Sequence, residues 1–289
     1  MQDFDFLKPK TLSELCVILA ETGGNILAGG TDIIPKMRRS HFSTSLLVDA
    51  SQIEELRFIR KRDGKITIGA MTTHQELTES PLLAEENPAL VNAALTVGCQ
   101  QTRNRGTIGG NIANASPAAD TIPPLLIVDA DIHLIGKLGE RTIPLDEFLI
   151  SPGKTKLVSG ELIHSISFRT LTGAWGMAFA KLGKRKGMAI SVVNAAAAIE
   201  INLDGRISKA RLCLGSVAPK VVRSHNAEDI LIGQHPTPDI LDQAAQMCKK
   251  NIVPINDVRS TAEYRKKSAV VIARRVLGDA VDQTVSRFL

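Results

Sequence analysis

Gln100-Gln101-Thr102-Arg103-Asn104-Arg105-Gly106-Thr107-Ile108-Gly109-Gly110-Asn111, continued by Ile112-Ala113-Asn114-Ala115-Ser116-Pro117-Ala118-Ala119-Asp120, is a polar, glycine-rich stretch in the middle of a 289-residue chain. Its serine, threonine and asparagine side chains are short. An apolar helical pattern precedes it, and the apolar run 125–128 follows it. A globular chain rarely keeps so long an unpatterned segment unless the segment holds something. The adjacent glycines Gly109-Gly110 let backbone N–H groups turn toward one point and let a ligand come close. The stretch reads as an anion cradle.

A second glycine pair lies upstream. Residues 4–7 read as a short strand, and Thr11-Leu12-Ser13-Glu14 as a capping box opening a helix with Leu12, Leu15, Cys16 and Leu19 on its apolar face. Gly23-Gly24 ends that helix, and 25–28 form a strand leading into Gly29-Gly30-Thr31-Asp32-Ile33-Ile34. Strand, paired glycines and Thr31 as a candidate N-cap leave free N–H groups, a natural anion site. Taken alone, the same motif reads first as an ordinary αβ turn.

The intervening chain alternates strands and helices. Residues 45–49 read as a strand, Asp63-Gly64 as a hairpin turn into 65–69, and Thr72-Thr73 with Gln75-Glu76 as a capping box. Pro88 opens the helix that delivers the chain to the central stretch. Residues 121–130 read as helical, with Pro123 and Pro124 tolerable only in its first turn, which puts Asp120 at an N-cap. Strands follow at 131–135, 141–145 and 161–168. Gly153-Lys154-Thr155 resembles the end of a P-loop, but Phe148 stands where the earlier glycine is required. Thr170-Leu171-Thr172-Gly173 marks a domain boundary. Beyond it, β-like runs at 190–203 and 206–214 are joined by Asp204-Gly205. Helices are expected at 226–232, 238–250 and 261–277, the last opened by the box Ser260-Thr261-Ala262-Glu263.

Composition excludes several function classes. The hydrophobic fraction is 44%, yet no segment approaches the roughly 20 apolar residues of a membrane span. The start Met1-Gln2-Asp3-Phe4 lacks the pattern of a secretory signal, so a cytoplasmic location is expected. Cys16, Cys99, Cys213 and Cys248 lie far apart, and the six histidines are scattered, which argues against zinc, iron–sulfur or disulfide sites. The net charge of +5 is offset by an aromatic content of only 3%, too low for base-stacking platforms, and no nucleic-acid partner is expected. The run Lys184-Arg185-Lys186 reads first as a solvated loop. Neither G-x-S-x-G nor G-x-G-x-x-G occurs, so serine hydrolysis and a Rossmann cofactor site are unsupported.

Two glycine-pair loops remain, able to clamp one diphosphate from opposite sides. Leu27-Ala28-Gly29-Gly30-Thr31-Asp32-Ile33, the 101–111 segment, Ser116-Pro117-Ala118-Ala119-Asp120 and Phe179-Ala180-Lys181-Leu182-Gly183-Lys184-Arg185-Lys186 together resemble the FAD-binding medium subunit of the molybdenum hydroxylases, the xanthine dehydrogenase and carbon monoxide dehydrogenase family. The resemblance spans nearly the whole chain. It implies an α+β architecture: an FAD-binding fold of the p-cresol methylhydroxylase and vanillyl-alcohol oxidase type over 1–172, with subdomains at about 1–55 and 56–172. A C-terminal domain of antiparallel sheet and helices follows at 173–289. It further implies that Leu27, Ala28, Gly29, Gly30, Thr31, Asp32 and Ile33 with Thr107, Ile108, Gly109, Gly110 and Asn111 hold the FAD pyrophosphate. Asp120 then binds on the adenosine and phosphate side, Ile163 packs near the flavin–adenine region, and Lys181 reaches the flavin ring. By the same resemblance, a partner subunit carries the molybdenum cofactor and hydroxylates the substrate, with purines or other N-heterocycles preferred. A second partner carries [2Fe-2S] clusters, and electrons leave FAD for NAD⁺ or another acceptor, with Lys184, Arg185 and Lys186 placed to meet it. The competing expectations are a stand-alone flavin oxidase of the vanillyl-alcohol oxidase type and a basic scaffolding protein without cofactor.

Overall fold

The computed structural model describes residues 3–287; Met1 and Gln2, at the start read above as lacking a secretory signal, lie outside the described residues. Leu46–Asp49 is the middle strand of a three-stranded parallel sheet, flanked by Asp5–Leu7 and Asn25–Leu27. Strands this short need a cover, and the helix Leu12–Thr22 supplies it by setting Leu15, Cys16 and Leu19 against Val48, Ile53 and Leu56. Thr11 caps that helix through Glu14 N–H, but the Glu14 carboxylate accepts from Lys10 N–H rather than closing the expected box. Gly23 ends it in the left-handed region at φ 62°.

The next layer is a five-stranded antiparallel sheet whose centre is Glu161–Arg169, the last of its strands in sequence. On one side Lys65–Gly69 pairs with it, backed by Ile59–Arg62; on the other, Asp131–Gly136, backed by Gly139–Pro144. Asp63 and Gly64 turn the first hairpin with φ of 51° and 69°, the two positive values that a tight two-residue turn requires. Short helices between residues 74 and 126 bury Leu77, Leu90, Ile108, Ile112 and Leu125 with Ile66, Ile166 and Phe168 of the sheet. The central polar stretch is therefore only partly loop. It contains the helices Gln100–Arg103 and Ile108–Ala113, the second pinned by Ile108 and Ile112, each 0% exposed. The helix expected over 121–130 is only Ile122–Leu126, and its cap position is Thr121, not Asp120.

A four-stranded antiparallel sheet, Trp175–Leu182, Val193–Ile201, Ile207–Gly215 and Val222–Arg223, forms the last layer. The first of these strands was not expected as such. Helices His225–Leu231 and Pro238–Met247 follow, the latter ending in a 3₁₀ turn at Cys248–Lys250. The final helix, Ala262–Ser286, runs past the expected end at Leu277 because Ala280, Val281 and Thr284 continue its buried face beyond Gly278. Its cap is Thr261, which accepts from Tyr264 N–H, so the expected box starting at Ser260 does not form. A Cβ on Gly176 would stand 1.9 Å from the Ala280 carbonyl oxygen, which shows how closely helix backbone lies on strand.

Arg265 fixes that helix. It is 2% exposed and donates to the Val192 and Ser216 carbonyls at 2.7 and 2.8 Å and to Asp257 at 2.7 Å. Burial raises the Asp257 carboxyl, but hydrogen bonds from Arg259 and Arg265 outweigh it and hold the group well below the usual carboxylate range. A depressed folded-state value gives stability that is present above the unfolded value of about 3.9 and lost as pH falls below it. Arg265→Met keeps the aliphatic bulk and removes the three bonds. It is expected to cost about 2 kcal/mol and to flatten the acid limb of a pH series of melting temperatures; an unchanged limb would disprove the assignment.

Candidate functional site

A cleft of about 490 Å³ opens between the two glycine loops. Residues 28–33 line it from the first, and Gly106, Thr107, Gly110, Asn111 and Asn114 from the second. Asn25, Ile26 and Phe42 extend the lining beside the parallel sheet. Val97, Gly98, Asp120, Ala189 and Ile190 extend it toward the C-terminal sheet.

The loops touch. A Cβ on Gly29 would lie 1.9 Å from the Arg105 carbonyl oxygen, so only glycine permits the contact. Gly30, at φ 75°, then turns the chain in the left-handed region open to glycine. Among the described residues, the N–H groups of Gly29, Gly30, Thr31 and Asp32 have no protein acceptor. Thr31 is not the expected cap: Asp32 holds that position before the short helix Ile33–Arg38, and its side chain makes no capping bond.

The second loop works differently from the expected donor clamp. The N–H groups of Ile108, Gly109 and Asn111 are taken by the carbonyls of Thr72, Ala70 and Thr107, and that of Gly110 by Thr107 Oγ1 at 3.1 Å. What this loop contributes is close approach: a Cβ on Gly110 would point between Thr107 Oγ1 at 2.9 Å and Ala28 Cβ at 3.7 Å. It also presents the Asn111 and Asn114 side chains. Among the described residues the Thr107 N–H and the Asn111 amide Nδ2 have no protein acceptor, so the first wall supplies most of the main-chain donors and the second adds these two and the space.

Asp120 lies in the lining and is 7% exposed. Its Oδ1 accepts from Ser191 Oγ at 2.5 Å and Asn194 Nδ2 at 2.8 Å; its Oδ2 accepts from Lys181 Nζ at 2.7 Å and Thr96 Oγ1 at 3.4 Å. Lys181 Nζ also donates to the carbonyls of Thr96 and Ala189 at 2.8 and 3.1 Å. The two sequence-derived residues Asp120 and Lys181 are therefore joined, and Lys181 touches the cleft wall through Asp120 and the Ala189 carbonyl without lining the cleft itself. Ile163, 6% exposed, packs in the core of the five-stranded sheet and is not part of the lining; Leu27, Ile108 and Gly109 lie behind it.

Several lining or supporting residues carried no sequence signal. Ser191 and Asn194 sit more than 70 positions from Asp120 and became visible only once the chain was folded. His74 lines the cleft at 2% exposure, and its main-chain N–H donates to the Gly106 carbonyl at 2.9 Å. Burial first, then the charge of Arg103, pushes its imidazole down to about 4, so it is neutral at neutral pH. The Thr73–Glu76 capping box one residue before it was legible and is present.

A cleft with four unengaged main-chain donors on one wall and a side-chain-free glycine on the other fits an anionic group such as a diphosphate. Residues 2–168 match the family described as the FAD binding domain in molybdopterin dehydrogenase. The chain belongs to that family, and FAD is its cofactor. Residues 178–280 match the CO dehydrogenase flavoprotein C-terminal domain. This flavoprotein subunit is 32% identical to the 6-hydroxypseudooxynicotine dehydrogenase complex subunit alpha of Paenarthrobacter nicotinovorans, over 96% of this chain and 94% of the relative. It is 31% identical to the carbon monoxide dehydrogenase medium chain of Hydrogenophaga pseudoflava, over 96% of both chains. A crystal structure of the Cu,Mo-CO dehydrogenase contains a chain that superposes with a TM-score of 0.93 at 30% identity, covering 98% of this chain and 99% of that one. The α+β fold, an FAD-binding part followed by a flavoprotein C-terminal part, and the oxidoreductase class are those of a molybdenum hydroxylase FAD subunit.

Proposed function

We propose that this chain takes electrons from the [2Fe-2S] clusters of a partner subunit and passes them, through FAD held in the cleft, to NAD⁺ or another acceptor. A separate molybdenum-cofactor subunit hydroxylates the substrate, a purine or other N-heterocycle, and the complex works in the cytoplasm. The observation that carries the cofactor placement is the row of unengaged N–H groups from Gly29 to Asp32 facing Gly110. Residues 28–33 and 107–111 hold the pyrophosphate, the first mainly by donating main-chain hydrogen bonds and the second by leaving room and offering the Thr107 N–H and the Asn111 amide. Leu27 and Ile163 support from behind, and Asp120 lies on the adenosine and phosphate side, held by Lys181, whose ammonium is directed toward the flavin ring. FAD, when bound, supplies reversible redox chemistry. The protein's share is to bind it, orient it and set the charge around it. The boundary near 172 separates the part that forms the loops from the part that supplies Lys181, Ser191 and Asn194.

Expression with its neighbouring subunits tests the reading. A brown complex containing FAD, iron–sulfur clusters and molybdenum, from which denaturation releases yellow FAD, is expected. A chain that purifies colourless and stays so after FAD addition overturns it, and a chain that turns over substrate with no partner overturns the division of labour.

Lys184, Arg185 and Lys186 are exposed and line a groove that also takes in Lys181, Thr96 and Arg103, and that shares Gly98 with the cleft. Lys184 donates to the Val258 carbonyl and Arg185 to the Met188 carbonyl, both at 3.0 Å, so neither charge is neutralised there. An anionic acceptor approaching this side is drawn in. Changing all three to Glu is expected to slow reoxidation by NAD⁺ about tenfold at low salt and less at high salt. Reduction by substrate is expected to keep its rate. Stopped-flow traces with equal reoxidation for both proteins would remove the groove from the acceptor's path.

A further inference from the structure

A diphosphate cofactor brings negative charge into the cleft, and among the described residues the acidic and basic side chains lining it, besides His74, are Asp32, Asp120 and Lys36. Two are acidic. Asp120 is answered by Lys181, and the glycine loops themselves meet the cofactor's own charge only with the partial charges of N–H groups. Lys36 lies in the helix Ile33–Arg38, just after the first glycine loop. Its Nζ donates to Asn114 Oδ1 at 2.5 Å, across to the segment that follows the second loop, and Asn114 Nδ2 donates to Asp32 Oδ1 at 3.3 Å. Asp32, Asn114 and Lys36 thus form a strap joining the two loops at the cleft.

The chemistry of the strap is asymmetric. Among the described residues Lys36 forms no ion pair; its acceptor is a neutral amide oxygen, although the Asp32 carboxylate is one helical turn away. The amide holds the ammonium in place without cancelling its charge. A charged donor is about twice as strong as a neutral one toward an oxyanion. The geometry points to Lys36 as the cation that binds the cofactor's diphosphate, with Asn114 positioning it and Asp32 fixing the Asn114 amide. This assignment rests on the cleft being the FAD site. Lys36 selects for an anionic phosphate linkage, whereas the cleft walls select for the rings at either end.

The test is equilibrium titration of deflavinated protein with FAD, followed by flavin and Trp175 fluorescence, with ADP as competitor and riboflavin as the uncharged control. Lys36→Gln is expected to weaken FAD and ADP about tenfold at low ionic strength and about twofold or less at high salt. Riboflavin binding stays unchanged, and Lys36→Arg recovers most of the loss. Lys36 is exposed, so the melting temperature of the apo variants is expected to match wild type. Wild-type protein that binds FAD while Lys36→Gln matches it in FAD and ADP affinity overturns the role of Lys36 alone. A riboflavin loss equal to the FAD loss also overturns it, because that marks a collapsed cleft. Wild-type protein that binds no FAD overturns the proposed function and this assignment with it.

Discussion

Asp120→Ala is expected to lose FAD and about 3–5 kcal/mol of stability in one step. The carboxylate accepts four hydrogen bonds, and three of the donors belong to the C-terminal part: Lys181, Ser191 and Asn194. Removing it strands the Lys181 ammonium, whose side chain is 11% exposed, with only two carbonyl oxygens for company. A buried cation without its counter-charge is among the costliest single changes a fold meets. Asp120→Asn keeps the shape and the bond to Ser191 but not the charge, and is expected to cost less. Lys181→Met removes the stranded charge, so Asp120→Asn with Lys181→Met is expected to be more stable than Asp120→Asn alone. A double-mutant cycle by chemical denaturation measures this, and a coupling energy near zero would mean that the pair does not tie the two parts together. The FAD loss is read separately, from flavin retained after gel filtration.

How much of this site could be read in the chain depends on whether the information is local. Glycine announces itself: Gly29-Gly30 and Gly109-Gly110 have no Cβ, and a close approach needs that whatever surrounds it. The chemistry of each loop was less legible. Nothing in 107–111 says that Thr72 and Ala70 will use up two of its N–H groups, because those residues arrive through the 73–107 bridge, a tertiary contact. Asp120 was visible as a polar residue before a proline-rich helix, which suggested a cap. Its three closest partners lie 61 to 74 positions further on and Thr96 lies 24 positions back, beyond any local rule. Trp175–Leu182 escaped for a different reason. Its first four residues are buried on both faces, so the period-two alternation that marks a half-exposed strand is missing. The helix Ile108–Ala113 carries two glycines that propensity counts against; burial of Ile108 and Ile112 overrides it.

Gly29→Ala is expected to reduce FAD affinity about a hundredfold, some 2.7 kcal/mol, while costing the apo fold only about 1–3 kcal/mol. The added methyl would stand 1.9 Å from the Arg105 carbonyl oxygen, 2.6 Å from its carbon and 2.9 Å from Gly106 Cα. All three are main-chain atoms, so no side chain can swing aside, and relief requires the loops to part by more than 1 Å. Parting them moves the Gly29–Asp32 donors away from the wall that Gly110 leaves open, and hydrogen bonds to an anion weaken steeply with such displacement. Gly30→Ala is the control. Its position needs a left-handed φ of 75°, but the nearest atoms to a new methyl are side-chain atoms, Leu27 Cδ1 at 3.3 Å and Ile34 Cγ1 at 3.4 Å, not backbone. It is therefore expected to cost about 1 kcal/mol of stability and much less affinity. The order of the two effects decides the matter. If Gly30→Ala weakens FAD more than Gly29→Ala, backbone strain at the turn governs the site and loop contact does not. If both leave FAD binding untouched, the free N–H groups of the first loop are not what holds the diphosphate.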